Sequence, residues 1–199
     1  MQNIKDNIRQ KLIAAGRKLI QEKGMEFLTA RKLSEASGCS IGTIYNQFTS
    51  MDELAAEQNL QTLRELETVL NAVKRSTDNY DNLNRLVNVF SGFVCENREL
   101  WMLLYNFHLN RRDYMPEMRY KKQLVRMMNY GAEDFFLLFP ALKGRRSRIM
   151  REVLMLGLFG ISAMLATDML NGLKTVNREN ICRIFSNAFL AGITLLDRE

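Results

Sequence analysis

Histidine occurs once in this chain, at His108, and proline only twice, at Pro116 and Pro140. A single histidine argues against a metal site and confines any Ser–His–Asp arrangement to that one residue. So few prolines leave long helices uninterrupted elsewhere. The three cysteines, Cys39, Cys95 and Cys182, are odd in number and widely spaced, so neither a disulfide framework nor a zinc spacing is visible. There is no phosphate-cradling glycine loop. No strand-like alternation, internal repeat or low-complexity tract occurs. The longest predominantly apolar uncharged run, Val153–Thr167, is too short for a comfortable membrane span and holds Gly157 and Gly160. The N-terminus is polar and charged, without signal-peptide character. A cytoplasmic protein that is not an enzyme is therefore expected, with no cofactor, no metal and no membrane partner.

What is present is helical. Hydrophobic residues make up 47% of the 199, as in a globular protein with a core. Ile4, Ile8, Leu12, Ala15 and Leu19 recur at helical spacing, and Gly24 ends that helix. Phe27 and Leu28 are expected to plug a small core behind it. Ser50-Met51-Asp52-Glu53 reads as a capping box that starts a long helix through Leu54, Leu60, Leu63, Leu66, Leu70 and Val73. Further helices are expected over about 80–95, 97–110, from Pro116 to about Phe139, and over about 145–173 and 178–196. The turn Asn171-Gly172 and the capping residue Asn177 separate the last two.

Net charge is +6. Most of the excess falls in the first fifty residues, where Lys5, Arg9, Lys11, Arg17, Lys18, Lys23, Arg31 and Lys32 face Asp6, Glu22, Glu26 and Glu35. A localised basic excess favours a polyanionic partner, although charge alone does not prove one.

The most informative stretch is Thr29–Leu54, TARKLSEASGCSIGTIYNQFTSMDEL. Thr29 is placed to cap a short helix over Ala30–Ser37, with Leu33 and Ala36 expected inside. Gly38 permits the left-handed backbone of a tight turn. Ser40 then caps a second short helix, Ile41–Phe48, with Ile44 and Phe48 inward and Thr43, Asn46 and Gln47 outward. Two short helices joined this way form the unit whose second helix enters a major groove. Thr29, Ser40 and Thr43 offer hydroxyls to phosphates, and Arg31 stands near the first helix start. Tyr45 offers a phenol or a ring, Asn46 can bond adenine, and Gly42 permits close approach.

The ordered set Thr29, Leu33, Ala36, Gly38, Ser40, Gly42, Thr43, Tyr45, Phe48, Ser50 and Leu54 closely resembles the TetR family of bacterial transcriptional regulators. Three positions depart from the usual pattern. Cys39 stands for a valine, Ile41 for a basic residue or proline, and Met51 for a phosphate-binding lysine. Ile41 puts an apolar group where a base edge or thymine methyl could meet it. The resemblance implies that Ser40, Gly42, Thr43, Tyr45 and Asn46 lie at the DNA. It also implies an all-α fold. A three-helix DNA-binding head, residues 1–50, would precede a helical bundle, residues 51–199, for ligand binding and dimerisation.

Two further sites are expected in that bundle. Trp101, Tyr105, His108 and Arg112 share one helix face. With Phe90, Phe93, Met127, Met128, Phe135 and Phe136 they could line a pocket for a small, largely apolar effector, or equally make ordinary core. Gly157, Gly160, Ile161, Phe185, Ala188 and Gly192 mark closing helices with small residues among large ones. The resemblance implies that these helices form a two-fold four-helix homodimer interface. The expected function is a dimeric repressor bound to double-stranded operator DNA. The alternative is a helical ligand-binding or interaction module that no longer reads specific DNA.

Overall fold

The computed structural model describes residues 2–110, 117–167 and 178–196. Every regular element among them is helical. In order they are α1 (Gln2–Lys23), α2 (Ala30–Ser37), α3 (Ile41–Gln47), α4 (Met51–Asn71), α5 (Asn79–Glu96), α6 (Arg98–Asn110), α7 (Met118–Met128), α8 (Ala132–Leu138), α9 (Gly144–Leu165) and α10 (Arg178–Leu196), with one 3-10 turn at Met25–Phe27. No described helix is long and apolar enough to cross a membrane. The chain divides into two compact units, Met1–Arg64 with Asn97–Lys121, and Glu65–Glu96 with Lys122–Glu199.

In the first unit, Leu12, Ile13, Leu33, Ile44, Phe48 and Leu54 form one buried cluster, against which Leu28, Cys39 and Met51 pack. A second cluster joins Ile20, Ala55 and Ala56 to Leu100, Leu103 and Phe107 of α6. Arg9 adds a polar clasp. It donates to the Gln47 carbonyl and to Glu53 (2.9 Å) and Glu57 (3.2 Å), and its guanidinium lies 4.2 Å from the Phe48 ring centroid. Deeper in, Gln58 donates to the Ile13 carbonyl at 2.7 Å and Arg17 to Thr62 at 3.1 Å. Gly16 lies opposite Gln58, where a Cβ would come within 3.0 Å of its amide nitrogen. α1 and α4 are thus held close by a small residue and by long polar ones.

Two expectations for this unit are revised. Phe27 does not plug the core but is 38% exposed. In a 3-10 turn, side chains three apart eclipse, so Met25 and Leu28 share the inward side and Phe27 turns out. The capping box is half formed. The Ser50 hydroxyl accepts from the Glu53 N–H at 3.1 Å, but the Glu53 carboxylate reaches back to the N–H and hydroxyl of Thr49 instead (2.7 and 2.9 Å).

The second unit packs α5 against α8, α9 and α10, with α9 and α10 also paired. The single helix expected from Pro116 to Phe139 is two. They part at Gly131, which has φ 70° and lies so close to α5 that a Cβ would fall 2.9 Å from Leu83. Glycine meets both demands without backbone strain and without displacing Leu83. α9 ends at Leu165, short of the expected 173, and Asn171-Gly172 and Asn177 lie outside the described residues. Gly157 is a second close approach, since a Cβ there would fall 2.2 Å from the Phe185 ring of α10.

Partial burial pushes the Glu53 carboxyl up, but the bonds from Thr49 and Arg9 outweigh it and hold it below the usual glutamate value. A carboxyl lowered on folding stabilises above its unfolded pKa and loses that contribution as pH falls through the folded one. Glu53→Gln should therefore cost stability at neutral pH and flatten the acid limb below about pH 4.3. Denaturant melts between pH 7 and 2.5 check this, and an acid limb parallel to wild type would remove Glu53 from the account.

Candidate DNA-binding site

The site begins with two caps. Thr29 accepts from the Lys32 N–H at 3.3 Å and starts α2. Ser40 accepts from the Thr43 N–H at 3.0 Å and starts α3, with the two hydroxyls 2.9 Å apart. Between the helices, Gly38 takes φ 66°. The Ser34 hydroxyl donates to the Cys39 carbonyl at 2.7 Å, and the Cys39 N–H donates to the Ser37 hydroxyl at 3.2 Å. This explains a departure from the expected packing. Ser37, not Ala36, is the buried partner of Leu33. It lies one full turn from Leu33, and its hydroxyl is needed in the turn.

Ile44 and Phe48 anchor α3 inside, as their four-residue spacing predicts. The opposite side presents Ser40, Ile41, Gly42, Tyr45 and Asn46, all exposed, with Thr43 half-buried. Ile41 and Tyr45 are large and apolar or aromatic, yet 45% and 50% exposed. A Cβ at Gly42 would meet nothing nearer than the Ser40 hydroxyl at 3.7 Å, so packing within the chain does not require glycine there. Met51 faces the head core rather than solvent.

The basic excess resolves into two groups. Arg9 and Arg17 are spent inside the first unit. Arg31 and Lys32 stand outside on α2, each paired to Glu35 (3.3 and 3.0 Å). The Lys32 hydrogen bond and charge, with Arg31, hold the Glu35 carboxyl below its usual range. Such exposed pairs are weak and exchange readily for other anions.

The expected pocket residues are brought together only in part. Trp101 is buried in the first unit at 1% exposure, Tyr105 is 42% exposed, and His108 bonds the Tyr120 hydroxyl at 2.7 Å with the rings stacked 5.6 Å apart. Burial keeps the His108 imidazole below its usual pKa, so the ring favours its neutral form. Arg112 lies outside the described residues. Phe90 and Met127 line a narrow apolar cavity of about 40 Å³ in the second unit, together with Phe135. Phe93 is buried on α5, and Met128 is partly buried on α7, and neither lines it. The cavity's other walls include Leu66 and Leu70 of α4 and Arg151, Leu154, Met155 and Leu158 of α9. Arg151 was missed because α9 reads as interface. The signal available was a charge in phase with Leu154 and Leu158.

Of the expected interface residues, Gly160, Ala188 and Gly192 are exposed, and Ile161 is partly buried. Gly157 and Phe185 meet each other within the chain.

A short helix capped by serine, anchored on one side and bare on the other, defines a helix-turn-helix DNA-binding domain. Residues 12–57 match the family model described as bacterial regulatory proteins of the tetR family, and the chain carries that TetR-type head. No curated protein matches the sequence. By structure, the chain is similar to a tetR-family transcriptional regulator from Streptomyces coelicolor, at TM-score 0.71 and 12% identity over 96% of this chain and 82% of that one. It is also similar to Thermus thermophilus FadR, a TetR-family repressor solved with lauroyl-CoA, at TM-score 0.65 and 16% identity over 93% and 94%. A Rhodococcus protein of unknown function gives TM-score 0.72 and 17% identity over 93% and 94%. At these identities the likeness establishes the all-α fold alone.

Gly42→Ala should leave the fold intact, and could raise stability by up to about 1 kcal/mol through helix propensity. It should weaken operator binding by about 1–3 kcal/mol if the helix face lies against DNA. Thermal melts and fluorescence anisotropy on one preparation read both quantities. Unchanged operator affinity would mean that this face does not approach DNA.

Proposed function

We propose that the protein is a dimeric transcriptional repressor whose two heads bind a palindromic operator and which a small, largely apolar ligand releases. The observation that carries the reading is the outer face of α3. Ile41, Gly42, Tyr45 and Asn46 are exposed together, and Gly42 has open space above it. Residues of these types suit base edges, thymine methyls and phosphates. Thr29 and Arg31 stand exposed at the start of α2, where backbone N–H groups suit a phosphate.

Dimerisation is supported by a second bare face. On α9, Val153, Leu156, Gly160 and Met164 follow one another every three or four residues, and on α10 Ile184, Ala188, Ala191 and Leu195 do the same. Leu156, Ile184 and Leu195 are 61–68% exposed. Two apolar stripes on paired helices suit a four-helix contact with a second copy. Heads carried on such a dimer must meet successive major-groove faces about 34–36 Å apart, or a multiple of that distance.

Ligand control is supported by the cavity in the second unit. Leu66 and Leu70 in its wall belong to α4, the helix that follows the reading helix in the chain. A ligand that widens the cavity displaces these leucines, and α4 is continuous from them to Met51. It releases DNA only by binding the released state more tightly, and operator must weaken ligand binding by the same factor.

Ala188→Glu places a charge on the exposed stripe of α10, so the monomer should fold while the dimer splits. Sedimentation velocity should show half the mass, and binding to the upstream region of its own gene should fall with it. A wild-type protein already monomeric at micromolar concentration would overturn the assembly. Specific binding of that upstream region separates a repressor from a helical interaction module.

A further inference from the structure

Arg151 is 8% exposed, and its Nε has no hydrogen-bond partner among the described residues. Its guanidinium carbon lies 5.4 Å from the Phe136 ring centroid, a partial compensation for lost water. One turn earlier on the same buried stripe, the Ser147 hydroxyl, at 1% exposure, also has no partner among the described residues. Beyond Arg151 the stripe becomes apolar, with Leu154 and Leu158. α9 therefore shows its own core a polar end and an apolar end. A buried guanidinium N–H without a partner is costly, and a sequence that keeps one there leaves an acceptor's place open.

Arg151 also lines two spaces at once. One is the apolar cavity shared with Leu66, Leu70 and Phe90. The other is an open surface cleft where Asn129, Arg148 and Glu152 are its neighbours. The geometry points to a site for an anionic amphiphile, with the head in the cleft on the Arg151 guanidinium and the tail in the cavity. This deepens the ligand-release reading and rests on it for its biological use. A carboxylate or a phosphate head satisfies the same fork of donors. The cavity's free volume of about 40 Å³ is far below the roughly 300 Å³ of a small formed pocket. The tail must therefore open the core. Met127 and Met155 stand in the wall, and unbranched thioether side chains change rotamer readily. The ligand selects the conformation in which these side chains have moved aside.

Titration calorimetry of the full chain with dodecanoate and with 1-dodecanol, both below their aggregation limits, tests this. Wild type should bind dodecanoate more tightly than the alcohol, and the difference should shrink as salt rises. Arg151→Gln should weaken dodecanoate at least about tenfold and leave the alcohol unchanged. Arg151→Lys, which keeps the charge but not the fork, should retain part of the preference. Circular dichroism confirms that each variant is folded. Equal dodecanoate affinity for wild type and Arg151→Gln would overturn the anion anchor. Failure of wild type to bind either compound would overturn the amphiphile class. Operator anisotropy with and without dodecanoate is a separate measurement, so loss of the release reading and loss of this site are told apart.

Discussion

Arg9 joins three helices that sequence alone leaves independent. Its guanidinium holds the last carbonyl of α3, lies over Phe48, and bonds two carboxylates on α4. The short helix α3 has one buried aliphatic residue, Ile44, and a single side-chain cap. A helix of that length is not stable alone in water. It stands because its start is fixed by Ser40, its middle by Ile44 and its end by Arg9. Apart from Ser40, the exposed face can then be given over to residues that the buried cluster of the head does not include. Glu57, which also pairs with Arg119, extends the clasp toward α7. Removing Arg9 would leave Glu53 and Glu57 side by side without their shared counter-charge.

The head was legible because its signals are local. Thr29 and Ser40 cap the helices that their spacing suggested, and Gly38 takes the left-handed turn. Errors there were small and of one kind. Ala36 and Phe27 were placed inside by hydrophobicity, while a turn hydroxyl at Ser37 and a 3-10 geometry decided otherwise. Gly131 shows a stronger limit. Nothing in Asn129-Tyr130-Gly131 announces a helix break until Leu83 of another helix is seen to occupy the space a side chain would need.

The second unit was legible in outline only. Helical spacing finds α5, α9 and α10 but does not say which faces meet. Trp101, Tyr105 and His108 share a helix face, yet the first is sealed in core and the last is taken by Tyr120. The cavity is assembled from α4, α5, α7, α8 and α9, so no stretch of sequence contains it. The small residues of α9 and α10 divide likewise. Gly157 serves packing within the chain, while Gly160 and Gly192 face open space.

The position of Trp101 has an optical consequence. It is the sole tryptophan, and it is sealed in the first compact unit. Indole emission during denaturation follows that unit alone, while far-ultraviolet dichroism sums the helices of both. If the two units melt together, the curves superimpose. If they melt separately, the curves part, and the chain carries its own dye for deciding between them.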